Sequence, residues 1–283
     1  MLGSYFHSAE EKWLDKAKKY VSERFEHIFL PSHDLDHHLR TWQHAKVLLE
    51  ELVNNSVPLD ASAVEAVFLA CMFHDTGMVI TPGKEHGILS RELYRDFISK
   101  QDDSLPESHE QVLKAIEFHD QKDLSIFRAF KPDEAPDILT ITGIADDMDA
   151  LGIIGIYRYT EIYLHREIAF EELGTEVLAN VSKRFENISR AAAILPAFLE
   201  SLNQLYNELT TFFENYQRET SELFAAAEVQ TKHMEIISLI KHFCIDEKKR
   251  PEIITDILVP GKTATFTKSF FERLKNEILF YTQ

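Results

Sequence analysis

Residues 64–73, VEAVFLACMF, form an apolar run with helical character that passes without a break into His74-Asp75 and the turn Thr76-Gly77. A core helix ordinarily fades into Lys, Glu or Gly at its end. Here it delivers an imidazole and a carboxylate, and burying such groups is costly unless a partner satisfies them. A chain built this way needs both a core around the run and a partner for the pair.

Helical periodicity dominates the rest of the chain. Between Ala9 and Phe29 the apolar residues Trp13, Ala17, Tyr20, Val21 and Phe25 recur at steps of three and four. Leu39, Trp42, Ala45, Leu48 and Leu49 do the same in LRTWQHAKVLLEELV. Asp60 or Ser62 is placed to cap the helix that runs to Phe73. Further helices are predicted at about 87–100, 107–119 and 137–151, and no alternating strand pattern appears. The expected fold class is all-α. Six of the nine glycines lie between Gly77 and Gly155, so tight turns and close approaches should gather there. The segment 176–216 reads as one or two long helices with Pro196 as a kink or break. These patterns suggest a histidine-bearing domain over 1–170 and a long-helix C-terminal region over 171–283, or one continuous domain.

A net charge of −17 argues against broad binding to nucleic acid, which needs many Lys and Arg contacts to phosphate. It leaves room for a small phosphorylated substrate, because a bound metal inverts the local field. No uninterrupted apolar run approaches the roughly 20 residues of a membrane span, so no membrane partner is expected. The N-terminus lacks the pattern of a secretory signal. Cys71 and Cys244 lie far apart in apolar sequence, which suits reduced, buried thiols and a cytoplasmic location.

Chemistry concentrates in the thirteen histidines and one acidic run. His33, His37, His38 and His44 crowd SHDLDHHLRTWQH; His74 precedes Asp75; His86 follows TPGKE; His119 ends VLKAIEFHD; IADDMDALG supplies Asp146, Asp147 and Asp149. Any single histidine is most often a surface or satisfied core residue. Several that each end an apolar helical face can satisfy one another through a shared cation. Imidazole and carboxylate ligands suit Mn, Fe, Co, Ni or Zn. With no Cys placed to help, an open site that keeps water is expected rather than a closed structural zinc. A carboxylate at such a helix end can bridge two ions about 3.5–4 Å apart.

HDLDHHLR, LACMFHDTG and IADDMDALGIIGIYR, in that order, resemble the HD-domain metal-dependent phosphohydrolase superfamily over roughly residues 30–160. The resemblance implies an HD-domain helical bundle and assigns ligand roles to His37, His74, Asp75 and Asp146. His38 and His44 compete with His37 for the first place, and Asp147 competes with Asp146. His86 and His119 match the further histidines of two-metal members, which leads to two ions sharing Asp75, or one ion if those histidines do not bind. The implied cofactor is thus one or two divalent ions, Mg included. Asp149, three residues after Asp146, would orient a ligand or water; Asp75, Asp149, Arg40 and Arg158 form the expected catalytic set, with Arg40 and Arg158 on substrate phosphate. Lys84 and Lys122 are further cations near the histidines. Met78 stands where many relatives carry Lys after HDxG, no Glu follows the pair at the third place, and DQKDL follows His119 in place of Gly-Tyr-Pro, so no subfamily is assigned. PGKT at 260–263 is not a P-loop, since Asp256 stands where that pattern needs glycine.

The expected function is hydrolysis of a phosphate ester of a nucleotide or related small molecule by metal-activated water. Two other readings share the ligands: a nucleotide- or metal-sensing module with little turnover, and a di-iron oxygenase. The long C-terminal helices offer a surface for homo-oligomerisation.

Overall fold

The computed structural model describes residues 2–282 apart from 102–104, 122–125, 224–230 and 259–263. Its helices are α1 (Leu2–Phe25), α2 (Leu35–Asn54), α3 (Ala61–Phe73), α4 (His86–Ser99), α5 (His109–Phe118), α6 (Ile138–Asp149), α7 (Gly152–His165), α8 (Phe170–Ala191), α9 (Pro196–Leu223), α10 (Lys232–Ile240), α11 (Ile254–Ile257) and α12 (Thr265–Thr282). Shorter 3₁₀ turns occupy Thr76–Val79 and Pro251–Ile253, and a π-helical turn follows α10 over Lys241–Asp246. The described residues contain no strand, and the fold is all-α.

The backbone divides into two compact units. The first is Met1–Asp149 with Glu186–Glu200, and the second is Ala150–Phe185 with Ser201–Gln283. This division by compactness falls elsewhere than the composition-based boundary near 170, because α7 packs on α10 and α12 of the second unit.

In the first unit α3 is the central helix, packed against α1, α2, α5 and α6. Its residues from Ala66 to Phe73 are fully buried, as befits a helix apolar all round. Asp60 caps it by accepting from the Ala63 N–H at 2.7 Å, while Ser62 instead meets the Ser108 hydroxyl at 2.9 Å. By length and mean composition Ala61–Val79 could cross a bilayer, although Glu65, His74 and Asp75 interrupt its apolar residues. Of that stretch 78% is buried inside the protein. Along α1, Trp13, Ala17, Val21 and Phe25 are buried as their spacing requires, whereas Tyr20 is half-buried and its hydroxyl donates to Asp96 at 2.9 Å. The tryptophans tie neighbouring helices: Trp13 Nε1 donates to Glu65 and Trp42 Nε1 to Glu10.

Two glycines let α4 press into place. A Cβ on Gly77 would lie 2.1 Å from the His86 carbonyl oxygen, and one on Gly87 would lie 2.5 Å from that of Glu117. Neither helix can come this close past any side chain. The Gly77 N–H donates to Ser90 Oγ at 2.7 Å, fixing the contact. As a result the first turn of α4 sits directly over the end of α3 and the end of α5.

At Pro196 the long C-terminal segment breaks rather than kinks: α8 stops at Ala191, and proline opens α9, where its missing N–H leaves no bond unmade. Within the second unit, Phe213, Tyr216, Ile236, Ile240, Phe271 and Leu274 form a core contributed by α9, α10 and α12. Cys71 and Cys244 are both free and buried.

Replacing Gly87 with Ala should lower stability by about 1–3 kcal/mol, because the new methyl group overlaps rigid backbone. Gly3→Ala, which faces open space, should change it by less than about 0.5 kcal/mol. Urea unfolding of the two variants measures the difference.

Candidate metal centre

Three helices of the first unit end at one point. His74 is the C-cap of α3, His119 is the C-cap of α5, and Asp146 and Asp149 lie in the last turn of α6. Carbonyl dipoles at these ends favour a positive charge. Into the same space α2 brings His37 from its first turn and α4 brings His86, its first residue.

Two groups result, His37, His74, Asp75 and Asp146, and Asp75, His86 and His119, all buried. Asp75 is common to both and divides its oxygens between them. Its Oδ2 lies 3.4 Å from His37 Nε2 and 3.6 Å from His74 Nε2. Its Oδ1 lies 3.0 Å from His119 Nε2 and 3.3 Å from His86 Nε2. Asp146 Oδ1 adds contacts of 3.4 Å to His37 Nε2 and 3.7 Å to His74 Nε2.

The other nitrogen of every ring is anchored. His74 Nδ1 donates to the Cys71 carbonyl at 2.8 Å, His119 Nδ1 to that of Ile116 at 2.8 Å, and His86 Nδ1 to that of Gly83 at 2.7 Å. His37 Nδ1 donates to Asp149 Oδ2 at 2.7 Å. A carbonyl or carboxylate only accepts, so each Nδ1 carries a proton, and each ring when neutral turns the lone pair of Nε2 inward. His37 Nε2 then faces His74 Nε2 at 3.0 Å, and His86 Nε2 faces His119 Nε2 at 3.3 Å. Lone pairs so close repel unless a cation or proton lies between them. For bonds of about 2.1 Å, neighbouring ligand atoms around one ion are roughly 3.0–3.4 Å apart, close to the separations found here. The donor set therefore fits a divalent ion in each group, with Asp75 shared.

Charge coupling among these groups is strong. Burial alone would raise the pKa of Asp75, but the charge of His74 and hydrogen bonds from His119, His37 and His86 hold it well below the usual carboxylate range. Burial works to lower the His74 pKa, and Asp75 and Asp146 outweigh it and raise it. His86 is pushed up to about 9, Asp75 overcoming the opposing effect of burial. Residual exposure of 4% at Asp75, 3% at Asp146 and 4% at His86 marks the side of the cluster that reaches solvent.

The remaining expected residues fall in several places. Asp149 stands behind His37 rather than among the inward-facing atoms, so it orients that ring and does not touch the reacting space. Arg40 was expected on substrate phosphate. It is instead 2% exposed, with Nε donating to Asp149 Oδ1 at 2.8 Å and Nη2 to Oδ2 at 3.0 Å. Burial disfavours the Arg40 charge, and Asp149 more than restores it. His44 Nε2 also approaches Asp149 Oδ1, at 3.4 Å. His38 turns away, donating to the Cys71 carbonyl at 3.3 Å, and burial holds it well below its ordinary pKa. Of the three neighbouring histidines, His37 alone has a nitrogen in the cluster. His33 pairs with Ser32 Oγ at 2.6 Å and sets its ring edge-on to His37. Asp147 is buried but outside both groups. Lys84 is exposed two residues before His86. Arg158 belongs to the second unit, buried in α7. Lys122 and the PGKT stretch lie outside the described residues. Missed in the sequence was the partnership of Arg40 with Asp149, although both sit three residues after a ligand-type residue on a helical face.

Among known families the HD domain model matches residues 34–152, which contain every member of the two groups. No curated protein and no solved structure matches the chain.

Asp149→Asn should reduce metal affinity about 10–100-fold by loosening His37. Arg40→Ala should cost about 3–5 kcal/mol by stranding the buried Asp149 charge. Competition with a chromophoric chelator reads the first, and urea unfolding the second.

Proposed function

We propose that this protein, whose residues 34–152 form an HD domain, is a metal-dependent phosphohydrolase acting on a nucleotide or related small phosphate ester. The superfamily includes such enzymes, and HD domains bind divalent metals. The observation that carries the reading is the shared Asp75 carboxylate, one oxygen toward each histidine pair. When bound there, divalent ions supply Lewis acidity that lowers the pKa of a water and offsets charge on phosphoryl oxygens.

The chain's own residues do the rest. Four rings fixed through Nδ1 hold their Nε2 atoms in place, so no reorganisation is needed when charge develops. Asp149 keeps the proton of His37 at Nδ1, and Arg40 holds the Asp149 carboxylate in place. Lys84, exposed beside the first turn of α4, meets the substrate phosphate. Buried helix walls exclude bulk water from all but the side at Asp75, Asp146 and His86. In a chain of net charge −17, the metals and Lys84 draw in an anion that the surface at large would repel. The two free, buried thiols support a cytoplasmic location for this chemistry.

Protein purified without chelator should carry a transition metal and release phosphate from at least one compound in a screen of nucleoside phosphates. Asp75→Ala should lose the metal and at least about 10³-fold in kcat while keeping its helical circular dichroism. Lys84→Ala should raise KM with little change in kcat. An Asp75→Ala protein with full metal and turnover would refute the site. Fully loaded wild-type protein silent across the screen would favour the sensing module instead.

A further inference from the structure

The second unit holds a cavity of about 500 Å³, within the size range of small-molecule sites. Its long wall is one face of α9, where Gln204, Asn207, Thr211 and Asn215 follow at steps of three and four. Amide and hydroxyl groups in such a row both donate and accept. Phe266 and Phe270 of α12 and Ile153 and Ile156 of α7 also line the cavity. Phe212 of α9 and Phe270 of α12 meet with centroids 5.9 Å apart, tilted 33°, so aromatic rings from both helices border the cavity.

His233, from the first turn of α10, closes one end and is 3% exposed. Its Nδ1 donates to Glu219 Oε1 at 2.6 Å. Glu219 also accepts from the His233 N–H at 3.1 Å and from the Thr231 hydroxyl, so it is held by the start of α10. This pairing puts a proton on Nδ1 and leaves Nε2, an acceptor in the neutral ring, engaged by no side chain among the described residues. Capping α10 needs only Glu219 and does not account for the second ring nitrogen. The ring itself is wedged edge-on between Phe212 at 4.9 Å and Phe266 at 5.3 Å. At the other end Arg273 is held by Glu208 at 2.6 Å. Lys232 lies over the Phe266 ring at 4.5 Å and pairs with no carboxylate among the described residues.

A flat apolar wall, a row of amides, an oriented imidazole acceptor and one uncompensated cation match one kind of molecule. We infer that this cavity binds a nucleoside monophosphate, its base against the phenylalanines, a base N–H donating to His233 Nε2, and its phosphate near Lys232. The inference does not rest on the hydrolase reading, since it concerns only residues of the second unit.

The test is a titration of the full-length, histidine-labelled protein with AMP, GMP and UMP, following the ring signal of His233 by NMR. The His233→Gln variant assigns that signal. At least one nucleotide should move it saturably, ribose 5-phosphate should not, and Phe266→Ala should weaken the binding about tenfold by removing a ring contact. Phe266 is 41% exposed, so its loss leaves the core intact. A His233 signal unmoved by all three nucleotides overturns the inference. So does one that ribose 5-phosphate moves equally. Shifts confined to His37, His74, His86 and His119 overturn it as well, because they place the nucleotide at the metal centre alone.

Discussion

One carboxylate organises the first unit. Asp75 is buried at the end of an apolar helix, where an unpaired charge would be intolerable, and four imidazole nitrogens gather round its two oxygens. Each of those nitrogens would be costly to bury alone as well. The cluster is stable as a set, and no member can be removed without stranding another. Three of the rings take their orientation from the carbonyl three residues earlier in the chain, at Cys71, Gly83 and Ile116. Their directions are therefore properties of local helix ends. Only His37 depends on a distant partner, Asp149, 112 residues away.

The packing serves that arrangement. An apolar α3 buried on every side fixes the position of His74 and Asp75, while Gly77 and Gly87 bring α4 close enough for His86 to reach the same point. Joining the C-terminal ends of α3, α5 and α6 would ordinarily oppose three negative dipole ends. Gathering cations there resolves the conflict.

Much of this was legible in the sequence because it is local. Helical period placed the six helices of the first 149 residues, and polar residues ending apolar faces pointed to His74, Asp75 and His119. The motif favoured His37 with His38 and His44 as alternatives, and the rotation of the helix brings a nitrogen of His37 alone into the cluster. Arg40 was misjudged as a substrate contact for the same reason: its partner, Asp149, is 109 residues distant, and no local pattern separates a buried arginine from a solvated one. The cavity of the second unit left no motif because four helices share its lining and His233 sits in an unremarkable polar context.

Since α3 is both the centre of the core and the carrier of two inward-facing donors, an ion bound at its end would add its binding free energy to the stability of the fold. An ion present at 100 times its Kd adds about 2.7 kcal/mol to the stability of the whole unit. That is a large share of the net stability of an ordinary domain. Without such an ion the unfolded population would be larger by the same factor of about one hundred, and proteases draw on that population. With an ion held there, the lifetime of the chain in a cell would follow its metal supply, through the same hydrophobic helix that holds His74 and Asp75 in place.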